Sequence, residues 1–292
     1  MADEITAKIN TAELIKQWEE RAEKARGVVV RTLVGAKTDL GCVRENNEDK
    51  FEFFQPDDED VLATKGSFYG VADGMGGHAA GQIASELALK TTIRAYYADP
   101  SPMVEDSLRG AIQQANAIIY DLSRAIAERN GMGTTLTALV VRGKEAFVAQ
   151  VGDSRCYRVR DDSIEQLTED HSWVNEQVKR GALSQQEAEM SPFKNVITRS
   201  IGTAPNVDVD IFTHEIEAGD QFLLCSDGLS NEVTADEMLD AMKKGSPSQA
   251  AWDLVNLALE RGGSDNCTVL ILKITDISHR PRKKRLGALL GR

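Results

Sequence analysis

Five carboxylates and one guanidinium stand at places from which a folded sheet can bring them to one rim. Glu48 and Asp49 precede the run Lys50–Phe54. Asp73 ends the run Phe68–Ala72 and opens a glycine-rich turn, Asp73-Gly74-Met75-Gly76-Gly77. Asp227-Gly228 follows Phe222–Cys225, and Asp265 lies in the turn Gly262–Asn266, just before Cys267–Ile274. Glycine beside a carboxylate lets the backbone approach a ligand closely. Several carboxylates plus a backbone carbonyl make an all-oxygen site, which suits Mg2+ or Mn2+ rather than Zn2+. If the groups converge, two carboxylates about 4 Å apart repel by about 4 kcal/mol at an effective dielectric near 20, so a cluster of four calls for a cation. Spacing alone does not establish convergence, and each Asp-Gly taken singly also suits an ordinary turn. Arg44 lies five residues before Asp49 in Gly41-Cys42-Val43-Arg44-Glu45-Asn46-Asn47-Glu48-Asp49. A guanidinium fork beside a metal pair suits phosphate recognition, whereas Arg44 alone reads as a surface charge.

The elements that must position these groups follow from periodicity. From Val28 the chain consists of short β-type runs broken by Gly and Asp: Val28–Val34, Lys50–Phe54, Gly66–Ala72, Thr134–Val141, Ala146–Val151, Arg155–Val159, Gln221–Ser226 and Cys267–Ile274. Helical patterns cover 81–97, 104–128, 172–180, 184–190, 234–243 and 247–261. Ser184 with Glu187, Thr234 with Glu237 and Ser246 with Gln249 give S/T-x-x-E/Q starts, and Pro247 suits a first helical position. Strands and helices do not alternate strictly, so the expected fold class is α+β, with antiparallel sheets and helices packed outside. Residues 1–27 read as a helical extension with an apolar stripe of Leu14, Trp18, Ala22 and Ala25.

The chain has 292 residues, with 34 Lys and Arg against 46 Asp and Glu, a net charge of −12. Its 41% hydrophobic and 27% charged residues exclude a disordered chain, a collagen and a coiled-coil rod. The acidic balance argues against nucleic-acid binding and is compatible with cation binding. Cys42, Cys156, Cys225 and Cys267 form no C-x-x-C pair, so no zinc knuckle or redox motif is indicated, and they read as small buried groups in a reducing compartment. The N-terminus lacks the apolar core of a secretory signal, and no apolar run is long enough to span a bilayer. A cytoplasmic protein is expected. Six of the Lys and Arg lie in Arg280–Arg292. This basic tail reads as solvated, with an anionic partner as the alternative.

Taken together, these segments resemble the metal-dependent protein Ser/Thr phosphatases of the type 2C (PPM) family in its bacterial form. The matching stretches are GCVRENNED (41–49), GVADGMGGHAAGQIAS (70–85), GMGTTLTALVV (131–141), VGDSRCYRV (151–159), LTEDHSWV (167–174), NVITRSIGT (195–203), LLCSDGLSNEV (223–233) and GGSDNCTVLIL (262–272). They occur in the family's order. The resemblance implies a central β-sandwich of two antiparallel sheets flanked by pairs of helices, a four-layer αββα domain over 28–276. It implies a flap at about 172–194 and a tail from 277 to 292. It further implies two Mn2+ or Mg2+ ions. Asp73 would bridge both, with the Gly74 carbonyl on one. Asp227 and Asp265 would complete the shell of the first metal, and Glu48 and Asp49 would hold the second side, partly through waters. Arg44 would grip the substrate phosphate. A metal-bridging water would then attack phosphorus in line and release the Ser or Thr alkoxide.

Two departures from the family's pattern stand out. Where animal relatives carry a histidine proposed as general acid, this turn has Met75, and the nearby His78 is not the matching residue. Where relatives carry an aspartate before the G-T-T segment as a third-metal ligand, this chain reads Ala127-Glu128-Arg129-Asn130, which makes Glu128 or Asn130 the candidate substitute. Asp153 and Arg155 read as structural residues of a tight turn that satisfy buried backbone, and His171 as a packing or hydrogen-bonding residue near the flap. Lys179, Arg180 and Lys194 read as a solvated face. The expected partners are phosphorylated proteins and a cognate Ser/Thr kinase. The alternatives are a non-catalytic pseudophosphatase scaffold, disfavoured because none of the expected carboxylates is lost, and a phosphatase of small phosphomonoesters.

Overall fold

A computed structural model describes residues 27–77 and 79–279 of the 292. The expected N-terminal helix, residues 280–292 of the basic tail and His78 lie outside the described residues.

In chain order the elements are β1 (Val28–Asp39), β2 (Lys50–Phe54), α1 (Glu59–Lys65), β3 (Ser67–Ala72), β4 (Gly74–Met75), α2 (Ala79–Ala98), α3 (Val104–Ala125), β5 (Gly133–Thr134), β6 (Leu136–Arg142), β7 (Glu145–Val151), β8 (Arg155–Arg160) and β9 (Ser163–Gln166). They continue with α4 (Trp173–Lys179), α5 (Gln185–Glu189), β10 (Asp210–Glu215), β11 (Gln221–Cys225), α6 (Asp227–Ser230), α7 (Ala235–Lys244), α8 (Pro247–Glu260) and β12 (Cys267–His279). One sheet has the order β1-β12-β11-β8-β9 and the other β10-β7-β6-β3-β2. Neighbouring strands in both are antiparallel. The expected boundary between 276 and 277 falls inside β12, because Ile277, Ser278 and His279 pair with Val30, Val29 and Val28.

The two-residue period of a strand decides which layer each side chain enters. On β6, Leu136, Ala138 and Val140 pack with α2 and α3, while Leu139 and Val141 pack against the opposite sheet. On β11, Phe222 and Leu224 face the other sheet, and Leu223 and Cys225 face α7 and α8. Three apolar seams therefore separate four layers, with a helix pair on each outer face. Each large side chain wholly buried in these seams contributes about 1.5–3 kcal/mol. Helix α2 presents Ala80, Ala84 and Ala88 to its seam, so it lies close on the sheet. Helix α8 starts as expected, with Ser246 Oγ accepting from the Gln249 N–H at 3.3 Å and Pro247 in its first turn. It crosses β1 at Gly35, where a Cβ would lie 2.1 Å from the Ser248 nitrogen.

Candidate functional site

The carboxylates gather at one end of the sandwich, drawn from both sheets. Asp49 precedes β2 and Asp73 follows β3, while Asp227 follows β11 and Asp265 precedes β12. Asn266 ties the contributing loops together. Its Nδ2 donates to the carbonyls of Leu40 (2.8 Å) and Asn46 (3.0 Å), and its Oδ1 accepts from the Glu48 N–H (2.8 Å). Thr135 and Thr134 fix Asp73: Thr135 Oγ1 accepts from the Asp73 N–H, and the Asp73 carbonyl accepts from the Thr135 N–H and Thr134 Oγ1, all at 2.8–2.9 Å.

Asp49 is 1% exposed. Its Oδ2 accepts from Ser226 Oγ at 2.6 Å, while its buried Oδ1 has no partner. Burial, with the charges of Asp227 and Asp265, pushes its carboxyl up to about 7 against the pull of its hydroxyl donors. Asp73 is raised well above the ordinary carboxylate range, first by burial and then by Asp49, Asp227, Asp153 and Asp265. Asp227 is raised by burial and by Asp265. Its Oδ2 accepts from Asn231 at 3.1 Å, and its Oδ1 is buried without a partner. Asp265 is partly exposed and pairs with Arg44 at 2.6 Å. Arg44, expected to await a phosphate, thus sits against one of the ring's own carboxylates.

Glu48 belongs to the same end. Its Oε2 lies 1.8 Å from where a Cβ on Gly81 would be, so only glycine at the start of α2 leaves it room. Its carbonyl accepts from the Gly74 N–H (3.2 Å) and Ser85 Oγ (2.6 Å). A Cβ on Gly74 would lie 2.2 Å from the Gly81 carbonyl oxygen, so this turn too requires glycine.

Asp153 departs from expectation. Beyond the structural turn role read from the sequence, it is a buried carboxylate, 8% exposed, with an Oδ1 that has no partner. Burial and the charges of Asp227 and Asp170 push it up to about 8. Arg155 pairs instead with Asp170, at 2.7–3.1 Å. The overlooked signal was Val151-Gly152-Asp153, where an aspartate follows a strand end beside a glycine, as at Asp73 and Asp227. Glu128 and Asn130, the candidate substitutes, are exposed in and beside a 3-10 turn at Ala127–Arg129. His171 makes the expected hydrogen bonds at the root of the 172–194 insert. Lys179 pairs with Glu169 and Arg180 lies 3.6 Å from Glu176, both on exposed surface.

Among the described residues no three His, Cys, Asp or Glu side chains close on a single point as a compact one-metal cage requires. The wider ring, with the Gly74 carbonyl beside it, suits a centre of more than one hard cation completed by water. Partnerless buried oxygens on Asp49, Asp153 and Asp227 and raised carboxyls on Asp49, Asp73, Asp153 and Asp227 are the condition that such cations relieve. A groove of about 620 Å³ adjoins the ring; Asn231, which holds Asp227, lines it together with Val174, Asn175 and Lys194 of the insert. A larger groove of about 760 Å³, between α2 and α3, includes none of the ring's carboxylates.

Comparison with known proteins shows a family and a fold. Residues 40–267 match a family model described as Protein phosphatase 2C. The "Serine/threonine phosphatase stp" of Listeria welshimeri is 38% identical over 242 residues, 81% of this chain and 94% of that protein. The crystal structure of the serine/threonine phosphatase Stp1 from Staphylococcus aureus superposes with a TM-score of 0.78 at 32% identity, covering 85% of this chain and 97% of that one. The catalytic domain of the phosphatase PstP, solved in complex with two manganese ions, superposes with a TM-score of 0.73 at 34% identity over 85% of this chain and all of that one.

Proposed function

Since the chain belongs to the protein phosphatase 2C family, we propose that its carboxylate ring holds two Mn2+ or Mg2+ ions beneath a phosphate gripped by Arg44. The protein is a metal-dependent serine/threonine protein phosphatase. Within that activity, Asp73 and the Gly74 carbonyl beside it would hold the ions. Asp227 and Asp265 serve one side, and Glu48 and Asp49 the other. Asp153 joins the ring as a further ligand. The cations supply Lewis acidity and a water-derived nucleophile at neutral pH.

The chain's own residues supply placement. Ser226 and Asn231 orient the carboxylates of Asp49 and Asp227, and Thr135 sets the backbone of Asp73. Arg44 donates to Asp265 through Nη2, and turning the whole fork to a phosphate would break that pair. Its side chain is 53% exposed, so breaking this pair costs only about 0–1 kcal/mol. Met75 carries no proton to give a leaving alkoxide.

The partners in this reading are phosphoproteins and a kinase that phosphorylates them. Residues from Val28 to His279 form the phosphatase domain, with 172–194 as the flap beside its groove. A cytoplasmic setting is part of this reading; among the described residues no helix is long and apolar enough to cross a membrane. The single observation that carries the site assignment is the buried ring with partnerless oxygens on Asp49, Asp153 and Asp227. The test is hydrolysis of a phosphothreonine peptide in EDTA, Mg2+ or Mn2+, with wild type and Asp227→Asn. Turnover that needs metal and is lost in the variant supports the assignment; a fully active variant refutes it.

A further inference from the structure

We propose that His171 is a positioning residue of the metal centre: it aims Asp153 into the ring by clamping the Gly152 turn, and it joins that turn to the root of the flap. The inference rests on the reading of Asp153 as a ligand given above.

His171 is buried, 7% exposed, and holds Gly152 from two directions. Its Nδ1 accepts from the Gly152 N–H at 3.0 Å, and its own N–H donates to the Gly152 carbonyl at 2.9 Å. An acceptor at Nδ1 places the ring proton on Nε2, where Asp210 Oδ2 accepts it at 3.0 Å. Arg199, 3.1 Å from Nε2, donates to Asp210 Oδ1 at 2.8 Å and fixes that carboxylate. The imidazole is thus locked in one tautomer and one orientation by β10. On its backbone side, the His171 carbonyl accepts from the Thr198 N–H at 2.8 Å, and the next residue, Ser172, bridges to Ile197. Both ends of the flap therefore meet at His171.

The other face of the same turn bears on the ring. Gly152 has a φ of 106°, and a Cβ there would lie 2.6 Å from Thr135, the residue that fixes Asp73. Two ring carboxylates thus have their backbones set within one packed unit, with His171 holding its outer side. A histidine that orients a ligand's backbone acts as an outer-shell partner, and loss of such partners typically weakens metal affinity by about 10–100-fold.

The test is Mn2+ titration of the full chain by calorimetry. Wild type is compared with His171→Ala, His171→Asn, Asp153→Asn and the His171→Ala/Asp153→Asn pair, and circular dichroism in EDTA checks each fold. An asparagine amide oxygen can take the place of Nδ1, so His171→Asn keeps the clamp and loses Asp210. Expected are about tenfold weaker Mn2+ binding in His171→Ala, recovery to within about twofold in His171→Asn, and a double variant no weaker than Asp153→Asn alone. Wild-type affinity in His171→Ala, or multiplying losses in the double variant, overturns the inference. If Asp153→Asn itself binds Mn2+ like wild type, it is the reading of Asp153 as a ligand that fails, and the inference falls with it. Should His171→Ala not fold, His171→Asn and His171→Gln decide: glutamine places its amide where Nε2 was, so affinity kept in the first and lost in the second supports the clamp, and equal affinities refute it.

Discussion

Replacing Asp153 by asparagine should stabilise the metal-free protein, and by more as the pH rises. In the fold, burial and the charges of Asp227 and Asp170 push this carboxyl up to about 8. In an unfolded chain it titrates near 4. Between those limits the folded protein binds one more proton than the unfolded one, so wild type loses stability as pH rises, by about 1.4 kcal/mol per pH unit from this group. The loss is complete above the folded value and absent below the unfolded one. Asparagine carries no such dependence. The advantage of the variant should therefore grow by about 3 kcal/mol between pH 5 and pH 7. That is a ceiling, because removing one carboxyl lets Asp49, Asp73 and Asp227 ionise more readily. The assay is urea unfolding in EDTA at pH 5, 6, 7 and 8. A difference that stays constant from pH 5 to pH 7 would mean that Asp153 is already ionised at pH 5, and the description of the ring as a desolvated, mutually repelling cluster would be wrong. Mn2+ at 100 times the wild-type Kd should narrow the gap, by up to the roughly 2.7 kcal/mol that such a ligand adds to the state that binds it.

The same ring predicts that Mn2+ binding at pH 6 releases protons, from Asp49 (about 7) and Asp153 (about 8), and that the release fades above pH 8. Calorimetry in two buffers of different ionisation enthalpy measures it, and identical heats at pH 6 would contradict it. Arg44→Ala should raise KM for a phosphopeptide and leave Mn2+ affinity unchanged or up to about fivefold tighter, because the lost pair with Asp265 is half exposed. Weaker Mn2+ binding in this variant would count against the pairing. Leu270→Ala, in the seam between the sheets, should cost about 2–5 kcal/mol in denaturant unfolding while leaving KM unchanged.

The central strands were legible in the sequence because both faces of β3, β6, β7 and β11 are buried, so apolar residues dominate them. Of the strands not anticipated, β9 and β10 lie at sheet edges, where SIEQ and DIFTHE carry little apolar signal. Helix α1 is seven residues long with an acidic start, and its cap at Asp58 resembled a loop. The helix expected over 104–128 ends at Ala125 and gives way to a 3-10 turn. At the site, Glu48, Asp49, Asp73, Asp227 and Asp265 stood out by their positions at strand ends and Gly74 through the family resemblance, and the fold brings them to the same end of the sandwich. Asp153 did not, although it too follows a strand end beside a glycine; the company of Asp227 across the sandwich is what sets it apart from an ordinary turn aspartate. The pairing of Arg44 with Asp265 spans 221 residues, a separation at which no local pattern speaks.

The pairing of β1 with β12 has a consequence for how the molecule can be held. Val28 lies opposite His279 at one end of this ribbon, and Asp39 lies opposite Cys267, two residues from Asp265, at the other. Twelve residues at about 3.3 Å each put the two ends roughly 35 Å apart. Whatever the chain carries before Val28 and after His279 is joined to the body side by side, on the far side from the carboxylate ring. A surface support, a fused domain or an affinity tag attached at either point would therefore tether the protein with its chemistry facing outward, toward the solution from which large phosphorylated partners arrive.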